Sequence, residues 1–247
     1  MYELENYIKY PKECEVNNPI PKTTIYQAAD LNSKDQNIFT KNVKKIIWLY
    51  SLKKSNINID PFENEKIKYN EVEIIEVKMK KLEEIDRIAF ILQTFIPYPI
   101  LLIFHFHEQL KLCVAHKREH KSDKSKITIT DLRMTKWINL LETDTFDEKL
   151  FQKLQLENLN HTNFYTLYRD ITDNIIIYNG SKEAGKPLQS TAEEIKEVNN
   201  QIYEINKKIK TLQTELKKET QFNKQTEINI QLHKLKQEKQ IIEKKLI

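Results

Sequence analysis

The chain has 247 residues, of which 39% are hydrophobic and 31% charged, with a formal net charge of +4. That length buries an ample core without staples and leaves room for one large domain or a domain with an appendage. Cys14 and Cys113, the two cysteines, lie far apart and without ligand spacing, which excludes a disulfide scaffold or a zinc finger and fits a reducing compartment.

The opening residues Met1 to Glu5 lack the layout of a signal peptide. The longest apolar run, around Ile100 to Phe104, is too short to span a bilayer. A cytoplasmic protein without membrane contact is expected. The positive charge permits nucleic-acid contact without requiring it, because Lys, Asn and Ile are abundant throughout.

Pro11, Pro19 and Pro21 keep the first thirty residues irregular. Ser33 then reads as an N-cap, and Phe39, Val43, Ile46, Ile47 and Tyr50 follow at helical spacing, predicting one amphipathic helix to about Leu52. Ile57 and Ile59 alternate with Asn as a short strand ending at Asp60-Pro61. Ile67 to Lys80 is strand-like, with Val72, Ile74, Glu76, Lys78 and Lys80 on one face and Ile75, Val77 and Met79 on the other.

A second amphipathic helix carries Leu82, Ile85, Ile88, Leu92 and Phe95 and stops at Pro97 and Pro99. Ile100 to His107 is a central buried strand. Leu110 to Lys117 returns from it through a turn at Glu108-Gln109. After a basic loop from Lys117 to Lys126 come strands at Ile127–Thr130 and Met134–Leu140, then helical patterns from Asp147 and around Phe164 to Ile177. No internal repeat is present. The order predicts an α/β domain, a mixed sheet flanked by helices, over 1–180.

A connector over 181–189 leads into a C-terminal antiparallel helical hairpin or coiled coil over 190–247. Ser190 or Thr191 caps its start, with Glu193 and Glu194 behind. Ile195, Val198, Ile202, Ile205, Ile209, Leu212 and Leu216 form one stripe at spacings of three and four. Ile228, Leu232, Leu235, Ile242 and Leu246 form a second, out of phase with the first. The helix therefore turns back near Thr220–Lys224, giving arms of ~30 Å and ~27 Å, or runs on with a change of partner. A two-helix seam buries little and usually finds a third helix, so a protein partner or self-association is expected.

The stretch from Lys217 to Leu235 resembles a "KExQFNxxxExNxxLxxLK" signature of an uncharacterised bacterial family catalogued as a domain of unknown function. Ile20-Pro21-Lys22, Trp48-Leu49-Tyr50, Ile85-Asp86 and Ile96-Pro97-Tyr98-Pro99-Ile100-Leu101-Leu102 resemble it more loosely. The resemblance spans about Ile20 to Leu246. It implies genomic company with DNA methyltransferases and helicase-type subunits in restriction-like or phage-defence loci. It implies no activity and no site residues. The family's lysine on the first long strand matches Lys80 better than Lys78.

Four constellations raise the question of chemistry. Asp60 and Glu76-Val77-Lys78 have the order and spacing of a PD-(D/E)xK nuclease, whose carboxylates hold Mg²⁺ beside a lysine; the competing reading is a solvated strand end. Gly180 to Lys186 nearly spells a P-loop, but Pro187 stands where a hydroxyl must bind Mg²⁺, and a connector explains both glycines. His105, His107, His116 and His120 do not converge, since the expected hairpin sets His116 opposite Leu101, ~13 Å along the sheet from His105; no metal site is expected. Lys117, Arg118, Lys121, Lys124 and Lys126 could contact nucleic acid, although Glu119, Asp123 and the lack of an aromatic residue favour a solvated loop.

The leading expectation is a non-catalytic accessory subunit, without cofactor, that docks through its C-terminal helices onto a methyltransferase or helicase-type protein of the same locus. The alternatives are a Mg²⁺-dependent nuclease of that system and a DNA-binding adaptor.

Overall fold

The computed structural model describes residues 7–119 and 127–243. They divide into two compact units, one ending at Tyr178 and the other starting at Asn179. Among the described residues, no helix is long and apolar enough to cross a membrane.

The first unit begins with strand β1 (Glu15–Pro19) and helices α1 (Lys22–Ala28) and α2 (Ser33–Asn42). Strand β2 (Val43–Lys53), the one-turn helix α3 (Lys54–Ile57) and the small hairpin β3 (Phe62–Glu63) and β4 (Lys68–Tyr69) follow. Then come β5 (Glu71–Met79), α4 (Ile85–Phe95), β6 (Ile100–Phe106), β7 (Gln109–Glu119), β8 (Ile127–Met134) and β9 (Ile138–Asn139). Helices α5 (Thr145–Lys153) and α6 (Phe164–Ala184) complete this part of the chain.

The main sheet runs β1-β2-β5-β6-β7-β8, with β9 also on β7. β5 and β6 are parallel, joined across α4, while the other pairs are antiparallel. Both faces are covered, because a strand with apolar residues at odd and even positions must find a layer on each side. One face sets Val72, Ile74, Leu101, Ile103, Leu112 and Val114 against Leu150 and Phe151 of α5 and Leu167, Ile171 and Ile175 of α6. The other sets Ile75, Val77, Leu102 and Phe104 against Phe39 of α2 and Ile85, Ile88 and Leu92 of α4. Asp35 and Arg87 tie α2 to α4 through paired bonds of 2.8 and 2.6 Å.

The mixed sheet flanked by helices matches the expectation; several local readings do not. The helix expected to reach Leu52 ends at Asn42, where the Asn42 amide bonds the Ile38 carbonyl at 3.0 Å and Val43 turns extended. Val43 to Leu52 is rich in β-branched and aromatic residues, and as β2 it pairs on both edges. Tertiary pairing overrides a helical spacing there. Ile57 lies in α3 rather than in a strand. Asn56 bonds the Lys53 N–H and Asn58 adopts φ 51°, both turn-forming roles of asparagine.

The β6–β7 turn is His107-Glu108, because Phe106 pairs with Gln109 and His105 with Leu110. His107 takes φ 52°. His116 faces Thr130 of β8, not Leu101. Ile127 to Met134 is one strand, broken by a bulge at which Asp131 adopts φ 54°.

The β6–β7 ladder pairs residues only from Leu102–Cys113 to the turn. Beyond it, where Ile100 and Ala115 would meet, the Tyr168 hydroxyl enters from α6. It lies 2.8 Å from the Ile100 carbonyl and 3.1 Å from both the N–H and the carbonyl of Ala115. Gln93 of α4 reaches the same gap from the other face, donating to the Ile100 and Cys113 carbonyls at 3.2 and 3.3 Å.

The second unit is built on α7 (Ala192–Lys218) and α8 (Phe222–Glu243). Thr191 caps α7 in a capping box with Glu194. The helices pack together and run antiparallel, since Val198 near the start of α7 shares a cluster with Ile242 near the end of α8. The turn at Glu219 to Gln221 needs no glycine: the Glu219 carboxylate takes the N–H groups of Thr220 and Gln221 at 2.9 and 2.8 Å. Of the expected connector, residues up to Ala184 are helical, as the last turn of α6. Gly185 alone adopts a positive φ, 68°, as residues that follow a helix often do.

Tyr168→Phe removes the hydroxyl from a buried N–H and two carbonyls. It should lower stability by about 1–3 kcal/mol in chemical denaturation, with unchanged far-ultraviolet circular dichroism. A loss below about 0.5 kcal/mol, the size of a surface change, would show that the opened ladder is satisfied without it.

Candidate functional site

The carboxyl ends of parallel strands are the usual ligand position in such sheets. Here they carry Glu76 and Lys78 on β5 and His105 on β6, with Lys78 and His105 in register. Glu76 is not the solvated strand end expected: its side chain is 4% exposed. Its carboxylate lies 2.7 Å from His105 Nδ1 and 3.5 Å from Lys78 Nζ. His105 Nε2 lies 2.7 Å from the His107 carbonyl. Both ring nitrogens are therefore engaged, and the imidazole serves to hold the His107 turn.

Asp60 does not share this cluster. Its carboxylate is 70% exposed and paired with Lys54 at 2.7 Å. Lys54 follows the Lys53–Glu71 pair at the far end of β2 and β5, five residues or about 16 Å along the strand from Glu76. Among the described residues, no group of three or more His, Cys, Asp or Glu could hold a metal. His116 stacks against Tyr69 and has Nδ1 3.3 Å from its hydroxyl; His120 lies outside the described residues. The P-loop-like stretch is excluded by its backbone, since Gly180 to Ala184 is helical. A phosphate loop must instead precede its helix.

The basic set divides. Lys117 and Arg118 belong to β7 rather than to a loop, while Lys121, Lys124 and Lys126 lie outside the described residues. Lys117 is 3% exposed, and burial pulls its ammonium well below the usual lysine range. Its Nζ donates to the Ile96 carbonyl at 2.5 Å, just past the end of α4.

At the opposite end of the β5–β6 pair lies a polar network that the sequence reading missed. Glu73 of β5 is 2% exposed. It accepts from Trp48 Nε1 at 2.6 Å and Ser51 Oγ at 3.0 Å. Burial pushes its carboxyl up to about 7, against those two bonds. The one available signal was a carboxylate set between Val72 and Ile74 in an apolar run.

Beside it, Glu71 pairs with Lys53 at 3.3 Å. The charge of Glu71 also pushes the pKa of the Tyr98 hydroxyl upward. Tyr98 borders a cleft of about 290 Å³. Lys68, Asn70, Pro97, Lys117, Arg118, Glu119 and Ile127 line it with Tyr98.

In the second unit, Val198, Ile205 and Ile242 form the buried seam, with Ile202, Ile209 and Leu235 packed against them. Ile195 and Leu232 are also buried. Leu212, Leu216 and Ile228 are half-buried, and Leu246 lies outside the described residues. A groove of about 570 Å³ opens between the helices. Leu212 and Leu235 line it with Thr211 and Gln231, among Lys207, Lys208, Lys234 and Glu204.

The geometry thus defines an α/β domain with a basic cleft, joined in one chain to a helical pair with a grooved flank. The chain matches the family described as "Domain of unknown function (DUF4391)" over residues 8–238 and belongs to it. No curated protein and no solved structure matches the chain.

Glu73 supplies a pH test. The folded state holds its proton up to about 7, whereas an unfolded carboxyl releases it near 4.3. Its contribution is complete below the unfolded value and is lost as pH rises through the folded one. Glu73→Gln should therefore gain stability relative to wild type between pH 5 and 8, by about 1–3 kcal/mol, in urea denaturation. A difference independent of pH would place a charged carboxylate there.

Proposed function

We propose that the chain is a non-catalytic interaction subunit of a bacterial restriction-modification-like or phage-defence system. In this reading it is cytoplasmic, and its C-terminal helices act as a coiled coil that captures a protein of the same locus. The setting rests on the resemblance described above. The groove between α7 and α8 carries the docking reading. After the two helices have paired, Leu212 and Leu235 still line an open groove, and Tyr203, Ile230 and Ile241 remain 66%, 52% and 62% exposed.

The occupant is an amphipathic helix with acidic flanks. Lys207, Lys208 and Lys234 outnumber Glu204 along the groove, and such a helix answers both the charge and the apolar lining. A second copy docked by a two-fold axis through the groove would set lysine against lysine. The non-catalytic part of the reading is supported at the other unit. His105 and Glu76 occupy one another, and Asp60 faces Lys54 instead of Glu76.

The test uses the full chain with the methyltransferase and the helicase-type subunit of its locus, each purified. One of them should bind, and Lys207→Glu with Lys208→Glu and Lys234→Glu should weaken that binding at least tenfold while leaving the helical signal unchanged. Binding indifferent to the reversals, or a stable dimer of the chain that excludes both proteins, would overturn the reading. So would Mg²⁺-dependent cleavage of DNA by the chain alone.

A further inference from the structure

We propose that the cleft beside Tyr98 binds a nucleoside phosphate, a function separate from docking by the C-terminal helices. Its volume of about 290 Å³ lies at the lower end of ligand pockets, ~300–1,000 Å³, which suits a small molecule. Its charge favours an anion: among the described lining residues Arg118 and Lys68 are cations and Glu119 the carboxylate, with Lys68 paired to Glu63 at 3.6 Å and Lys117 buried behind them. Arg118 brings the planar fork that matches phosphate oxygens. Among the described residues, the Ile96 carbonyl is the one acceptor of the Lys117 ammonium, although the group carries three donors.

An anion alone would not require the rest of the lining. Tyr98 is 42% exposed, and the charge of Glu71, itself held by Lys53 at 3.3 Å, pushes its hydroxyl's pKa upward. The ring lines the cleft with Pro97 next to it, a platform on which a planar base can stack. Asn70 offers a donor and an acceptor on one amide, as reading the edge of a base requires. Cations, an exposed aromatic ring and an amide together fit a nucleotide better than a free phosphate or a carboxylate. The nucleotide could be a free molecule or the phosphorylated end of a nucleic-acid strand.

Isothermal titration of the full chain would use the four ribonucleoside monophosphates, adenosine, inorganic phosphate, and a short single-stranded oligonucleotide with and without a 5′-phosphate. At least one monophosphate should bind tenfold or more tightly than either adenosine or phosphate. A 5′-phosphorylated strand that binds better still would assign the source as a strand end; equal or weaker binding would assign the free nucleotide. Arg118→Ala should weaken nucleotide binding at least tenfold. Tyr98→Leu should weaken the nucleotide and leave inorganic phosphate unchanged. Tyr98→Phe, which keeps the ring, should bind nearly as wild type and guards against a variant that fails to fold. Equal affinity for phosphate and nucleotide, no binding at millimolar concentration, or indifference to Arg118→Ala would overturn the proposal. Partner capture is measured without nucleotide, so either result can fail alone.

Discussion

The fold of the first unit depends on how an opened strand pair is closed. β6 and β7 part beyond Leu102 and Cys113, in the middle of a sheet covered on both faces. Water cannot satisfy the parted backbone groups there, and each orphan would cost about 1–3 kcal/mol. Gln93 closes the gap from the α4 side and Tyr168 from the α6 side, and both meet the Ile100 carbonyl. The two helical layers are thus fixed to one point of the sheet. That point lies next to Pro97 and Tyr98, so the opening of the ladder and the mouth of the cleft belong to one region of the chain.

Burial of charge follows from the same two-layer cover. Strands buried on both faces leave no solvated side, so Glu73, Glu76 and Lys117 each had to find a local partner. Glu73 took Trp48 and Ser51, Glu76 took His105, and Lys117 took the Ile96 carbonyl. For Lys117 that carbonyl lies just past the carboxyl end of α4, where an ammonium is favoured by the helix dipole even as burial opposes its charge.

How much of this the sequence disclosed depends on whether a feature is local. The stripes from Ile195 and from Ile228 mark two helices and the break between them, because helical spacing is written residue by residue. β5, α4 and β6 were legible for the same reason: Val72 to Met79 and Ile100 to Phe106 are apolar runs bounded by polar or proline residues. Val43 to Leu52 was misread, since its apolar residues satisfy a helical period and only its pairing with β1 and β5 makes it a strand. The turn at His107 was off by one residue because His105, two residues earlier, holds its carbonyl. Of the candidate sites, Lys117 and Arg118 were found as charges but placed in a loop. Asp60 and Glu76 were found as carboxylates with a nuclease's spacing, but spacing along a chain does not bring two ends of a strand together. The cleft draws on β4, β7, β8 and the segment before β6, which no stretch of sequence displays together.

The position of that cleft runs against the usual rule for parallel strands, and the reason is visible in the residues. Ligands commonly lie beyond the carboxyl ends, where a strand gives way to a loop and a helix begins. In this sheet β5 and β6 are the only parallel pair among the described strands, and β6 does not lead to a helix. It turns directly into β7 at His107-Glu108, and the His105–Glu76 contact holds the turn down over the carboxyl end. At the amino end the chain instead arrives from α4 through Pro97 and Pro99. Neither proline can donate to a ladder, although the Pro99 carbonyl accepts from the Glu73 N–H of β5 at 2.9 Å; Tyr98, just before it, lines the cleft together with residues of β7. In this sheet the β6–β7 hairpin closes the carboxyl end, and the cleft opens where the chain arrives from the crossover.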